Sequence, residues 1–135
     1  MGAWDIGPFD NDDAADWVWK LDGASDYAYV VAALAPVARC DRDAQLAAWD
    51  ASVAVAAAES LAAAAQRPGP WRLPESVCSW IDRIERAPTP DEREVARAAV
   101  QRAGTAPSEL LEMWNEAGAD EWLAGLGDLD GRLAP

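Results

Sequence analysis

The chain has 135 residues and a net charge of −13, with 51% hydrophobic and 26% charged residues. Area scaling gives such a chain a folded surface of roughly 7,000 Å² against roughly 21,000 Å² unfolded, so a core can form without metal or disulfide support, and wholesale disorder is excluded. With no histidine and a single lysine, Lys20, there is no Ser-His-Asp or Cys-His nucleophile arrangement, no His-containing zinc site and almost no room for Schiff-base or P-loop chemistry.

Charge is uneven along the chain. Residues 1–26 carry seven acids and one base, residues 67–102 carry six acids and seven arginines, and residues 103–135 carry seven acids and one arginine. Nucleic acid and anionic membrane surfaces are therefore poor partners, whereas an acidic face attracts a basic protein. The longest uncharged apolar run, Tyr27 to Ala38, is 12 residues, short of the roughly 18 a spanning helix needs. No basic residue precedes Lys20, so no signal peptide is expected. Cys40 and Cys78 form no C-x-x-C and are expected as small buried hydrophobes in a reducing cytoplasm.

Alanine is abundant, Val, Ile and Thr are few, and no segment alternates apolar and polar residues over strand length. The reading is all-α: a compact single-domain bundle of six or seven helices over residues 1–135, around one long central Ala-rich helix. A first helix is predicted from Asn11 to Leu21, capped by Asp10 or Asn11, with Asp12 and Asp13 in its first turn, an Asp16–Lys20 pair, and Gly23 after its end. Ser25 is the expected cap of a second helix, which Pro36 kinks or ends.

The longest helix is predicted from Arg42 to Gln66, with Leu46, Trp49, Val53 and Leu61 on one side and small or polar residues, Glu59 among them, on the other. A Pro/Gly loop over 67–74 divides two helical halves, and Pro74 starts a fourth helix with an apolar stripe of Val77, Trp80, Ile81 and Ile84. Thr89-Pro90-Asp91-Glu92 reads as a capping box opening a fifth helix that carries Arg93, Arg97 and Arg102. A sixth helix is predicted from Pro107 to Ala117 and a seventh, weakened by Gly125, Gly127 and Gly131, from Asp120 to Leu133.

The opening Met1-Gly2-Ala3-Trp4, followed by Gly7-Pro8-Phe9-Asp10-Asn11-Asp12-Asp13-Ala14-Ala15-Asp16-Trp17, resembles the N-terminal signature of a bacterial family known only as domain of unknown function 4259. Ala56-Ala57-Ala58-Glu59, Leu73-Pro74, and Glu109-Leu110 with Trp114 and Trp122 resemble the same family, so the likeness runs over essentially the whole chain. Asp5 departs from it, standing where the family has a small residue such as glycine. The resemblance implies a small, stand-alone, soluble bacterial protein, with Trp4, Gly7, Pro8, Phe9, Asn11 and Trp17 as its structural signature. It implies no activity, because the family carries none.

Three groups of residues are candidates for function. Asp10, Asp12, Asp13 and Asp16, with Asn11, place several oxygens within two helical turns, a set that hard cations such as Ca²⁺ or Mg²⁺ bind. Their spacing is not that of an EF-hand, and capping and the helix dipole account for acids at this position. Glu59 lies among alanines and is expected to be buried with an arginine from the 67–102 segment. The third group is the eight tryptophans. Trp17, Trp49, Trp80, Trp114 and Trp122 fall on predicted apolar faces. Trp19 lies about 200° around the helix from Trp17, on the side of Asp12 and Asp16, where an exposed indole in an acidic surround suits a protein interface.

Two functions follow. The first is a non-enzymatic module, regulatory or antidote-like, that binds a basic protein through Trp19, Asp12, Asp16 and Glu59, with no cofactor. The alternative is a divalent-metal-dependent enzyme built from carboxylates, in which the N-terminal aspartates and Glu59 must converge on one pocket. Homodimerisation through the Ala-rich helix or Trp19 is compatible with either.

Overall fold

In the computed structural model residues 7–135 are described; Trp4 and Asp5 lie outside them. The described residues form seven α-helices: α1 (Asp12–Lys20), α2 (Ala28–Ala38), α3 (Ala48–Ala64), α4 (Glu75–Arg83), α5 (Pro90–Ala103), α6 (Glu109–Ala117) and α7 (Asp120–Leu133), with a 3-10 turn at Leu21–Gly23. The fold is an all-α bundle, and α3 is its axis. Every residue of α3 from Ala51 to Ala63 is buried, and the helix packs against each of the other six. Alanine makes this geometry feasible, since short side chains let neighbours approach the helix on all sides. Around it lie Leu21, Leu34, Leu129 and Leu133, each fully buried and each contributing about 2 kcal/mol of transfer free energy.

Local signals set most helix ends. The Asn11 side chain accepts from the Ala14 amide at 2.8 Å and caps α1. Thr89 and Glu92 form the reciprocal capping box of α5, with Pro90 at its first turn. Ser108 caps α6 by accepting from the Leu111 amide at 3.4 Å, and α6 ends at Gly118, whose φ of 99° glycine adopts without strain. Ser25, by contrast, does not cap α2: Asp26 does the local work, its Oδ1 accepting from the Ala28 amide at 2.9 Å. Pro36 falls within the last turn of α2, and the helix stops two residues beyond it at Ala38.

The largest departure from the sequence reading is the start of the long helix, six residues later than predicted. The predicted first turns, from Arg42 to Ala47, are drawn out of helix by a side chain far along the chain. Arg102, only 8% exposed, donates from Nη2 to the carbonyls of Asp41 (3.1 Å), Ala44 (2.6 Å) and Pro107 (3.1 Å), and from Nη1 to that of Thr105 (2.9 Å). Leu46 then pairs with the backbone before α6: its amide donates to Pro107 at 3.1 Å and its carbonyl accepts from Glu109 at 2.9 Å. The first α3 amide, that of Ala48, is satisfied across the bundle by Glu109 Oε1 at 2.8 Å. The C-terminal end of α3 is a Schellman motif, with Gln66 at φ 64° and the Arg67 amide donating back to the Ala62 carbonyl at 2.9 Å.

Several side chains also depart from expectation. Trp49, assigned to the apolar face, is 57% exposed because it falls in the first turn of the shortened helix. Cys78 is exposed on α4 and Cys40 is half-buried, so neither is a fully buried hydrophobe. Among the described residues Asp16 and Lys20 form no ion pair within 4.0 Å.

Two predictions come from this packing. Arg102→Ala removes one donor from each of four partly buried carbonyls and should lower the unfolding free energy by about 3 kcal/mol in urea titration. Glu92 is held below its ordinary carboxyl value of 4.5 chiefly by the hydrogen bond from Arg86, assisted by the Thr89 amide. A carboxyl depressed in the folded state contributes stability above its unfolded pKa and loses it as pH falls through the folded one. Glu92→Gln should therefore be the weaker protein at pH 7, and the gap to the native chain should close as pH drops below 4.5.

Candidate functional site

Two places in the bundle gather polar side chains with a definite geometry. The first is built on Glu59, which α3 carries to the centre of the molecule at 1% exposure. Its partner is Arg132 near the end of α7, and not an arginine of the 67–102 segment. Arg132 Nη1 donates to Glu59 Oε1 at 2.6 Å and Nη2 donates to Oε2 at 3.1 Å, a bidentate pair. Burial disfavours the charged guanidinium, but the hydrogen bonds and charges of Glu59 and Asp128 outweigh it and hold the Arg132 pKa above its ordinary value.

The 67–74 loop closes over this pair. The Gly69 amide donates to Glu59 Oε1 at 3.2 Å, and a β-carbon at Gly69 would lie 2.7 Å from that oxygen and 2.8 Å from Arg132 Nη2. Only glycine lets the backbone pass so close. Arg67 completes the join, its Nη1 donating to the Ala134 carbonyl at 2.6 Å. With its oxygens taken by Arg132 and Gly69, Glu59 is occupied as a structural group.

The second place is a cleft of about 410 Å³ between α1, α2 and the start of α3. Asp13, Asp16 and Lys20 of α1 form one edge, and Trp49 and Asp50 of α3 the other. Trp17 and Tyr29 form an aromatic wall, stacked with ring centroids 5.1 Å apart and the Tyr29 hydroxyl donating to the Trp17 carbonyl at 2.7 Å. Among the described residues Asp13, Asp16 and Asp50 make no ion pair. Burial foremost, then the charges of Asp12 and Asp16, raises the Asp13 carboxyl above its ordinary value of 3.8.

The two places are separate. Asp13 and Asp16 line the α1–α2–α3 cleft, while Glu59 lines a different, nearly filled one beside Pro8, Trp71 and Trp122. The convergence that a carboxylate enzyme requires is absent from these cavities. Asp10, Asp12 and Asp13 are not gathered as ligands either: among the described residues no three acids or cysteines are grouped so as to hold a metal ion. Asn11 caps α1, Asp10 turns back toward Gly7, and Asp12 stays exposed in the first turn. Gly7 and Pro8 are packed near Trp71, Phe9 rests against the core, and Trp17 is buried within it. Trp19, at 75% exposure, stands on the surface.

Sequence reasoning missed Tyr29, Trp49 and Asp50 as cleft residues. Placing them requires knowing that α3 begins at Ala48, which Arg102 and Glu109 decide from far along the chain. Replacing Glu59 by Gln should destabilise the protein by about 2 kcal/mol, because the buried Arg132 loses its counter-charge. Chemical denaturation measures this, and unchanged stability would contradict the pairing.

No curated protein and no solved structure matches the chain. The family model described as "Domain of unknown function (DUF4259)" matches residues 2–125. That span holds the N-terminal signature, Glu59 and every residue of the cleft, and stops short of Arg132. The chain belongs to the DUF4259 family.

Proposed function

We propose that this protein is a non-enzymatic binding module that recognises a basic protein partner, as a regulator or an antidote-like neutraliser. The observation that carries the reading is the coincidence of exposed indoles with unpaired carboxylates. Trp19 is 75% exposed and Trp49 is 57% exposed, and both stand beside aspartates that form no ion pair among the described residues. Exposed tryptophan is costly in water and is enriched at the energetic centres of interfaces. Aspartates left unpaired keep their full attraction for an incoming positive charge.

On α1, Asp16 lies between Trp19 and the cleft, about 60° around the helix from the indole, so one partner can engage both. The net charge of −13 adds long-range steering toward a basic surface. A cytosolic location goes with this reading, since Cys40 and Cys78 are both free thiols. No described helix is long and apolar enough to cross a membrane.

The test immobilises the protein and measures retention of a basic partner as salt rises. Near-equimolar retention of one basic protein, released as ionic strength increases, is the expected result. Trp19→Ala should weaken the association about tenfold or more, the scale of an interface hot spot. Absence of any protein partner, or retention indifferent to salt, contradicts the proposal. Sedimentation of the free protein separates partner binding from self-association.

A further inference from the structure

The cleft between α1, α2 and α3 has features that specify its occupant more narrowly than charge alone. Its volume of about 410 Å³ lies in the range of small-molecule clefts and leaves room for one long side chain. Carboxylates line it from two helices, Asp13 and Asp16 on α1 and Asp50 on α3, together with the Trp17 and Trp49 indoles and the Tyr29 phenol. Acids and aromatic faces in one cleft suit a flat cation, which can stack on a ring while its N–H groups reach carboxylate oxygens.

The chain's own ammonium group supplies a second observation. Lys20 lines the same cleft, one helical turn from Asp16, yet among the described residues it pairs with none of the three carboxylates. A strongly hydrated ammonium gains little by leaving water for an open, half-aromatic site, whereas a guanidinium sheds water readily and prefers ring faces. Crowding of the acids adds to the attraction, since burial and neighbouring charge make the ionised Asp13 costly and a cation would relieve it.

We propose that this cleft receives one arginine side chain of the protein partner, its guanidinium stacked on the exposed Trp49 indole and paired with Asp16 and Asp50. The assignment rests on the reading of the chain as a binder of basic proteins and names where that partner is anchored. Trp19 then lies outside the anchor, as a flanking contact on the far side of Asp16.

The experiment titrates the whole chain with the tripeptide Ac-Gly-Arg-Gly-amide and with its citrulline and lysine counterparts. The Trp49 indole N–H is followed by NMR and assigned with Trp49→Phe. The arginine peptide should shift the Trp49 signal and bind about tenfold more tightly than the citrulline peptide, which keeps the shape and loses the charge. The lysine peptide should bind more weakly than the arginine one. Asp16→Asn with Asp50→Asn should cost about tenfold, and Lys20→Met, which removes a competing charge at a surface position, should tighten binding about threefold.

Equal binding of the citrulline or lysine peptide, or full affinity in the double variant, overturns the guanidinium site. Loss of affinity on removing Lys20 overturns it as well. Arginine-peptide shifts at Trp19 with Trp49 unmoved refute the cleft and leave the basic-partner reading standing. No shift anywhere with these peptides or with oligoarginine refutes both.

Discussion

Burial of α3 around its whole circumference is the constraint from which the rest of the bundle follows. A helix of 17 residues can be enclosed on every side only if its side chains leave room for neighbouring backbones, and a run of alanines does this. The enclosing helices supply the bulk that α3 lacks, with leucines and the fully buried Trp80 converging on it. From Ala51 to Ala63 the same enclosure leaves no free face on α3 to hold a charge in water. Glu59 therefore had to find a partner inside, and the end of α7 delivers Arg132 to it. Gly69 is the corresponding constraint on the 67–74 loop, which must cross directly above the pair.

Division of labour between centre and surface bears on function. Glu59 is paired with Arg132, and Arg102 donates to four carbonyls, although among the described residues its Nε is buried without a hydrogen-bond partner. Among the described residues Asp13, Asp16 and Asp50 form no ion pair, and they line one cleft with Trp17, Trp49 and Tyr29. The paired Glu59 and the aspartates of α1 and α3 line different cavities.

What could be read from the sequence is what depends on neighbours a few residues away. Asn11 and the Thr89–Glu92 box were legible as caps because a cap is a matter of three or four residues. The bounds of α7, Asp120 to Leu133, were legible despite its three glycines, although Leu123, read with Trp122, Leu126 and Leu129 as apolar face, is exposed. The start of α3 was not, because Arg102 and Glu109 compete for its backbone from more than 50 positions away. Burial of Glu59 and its need for an arginine were legible from the alanines around it, but an all-round apolar helix has no face to indicate which arginine is near. Exposure of Trp49 was hidden for the same reason: a shift of six residues in the helix start turned a presumed core indole into a cleft wall. The N-terminal aspartates were legible as helix-starting residues, and because consecutive positions on a helix point apart, no three acids are grouped among the described residues.

Native-state hydrogen exchange of the α3 amides tests the enclosed axis most directly. If α3 is held on all sides, the amides from Ala54 to Ala63 exchange only through global unfolding, and their opening free energies equal the value from denaturant titration. Opening of α3 at a free energy well below that value, while α2 and α5 stay protected, would contradict the account.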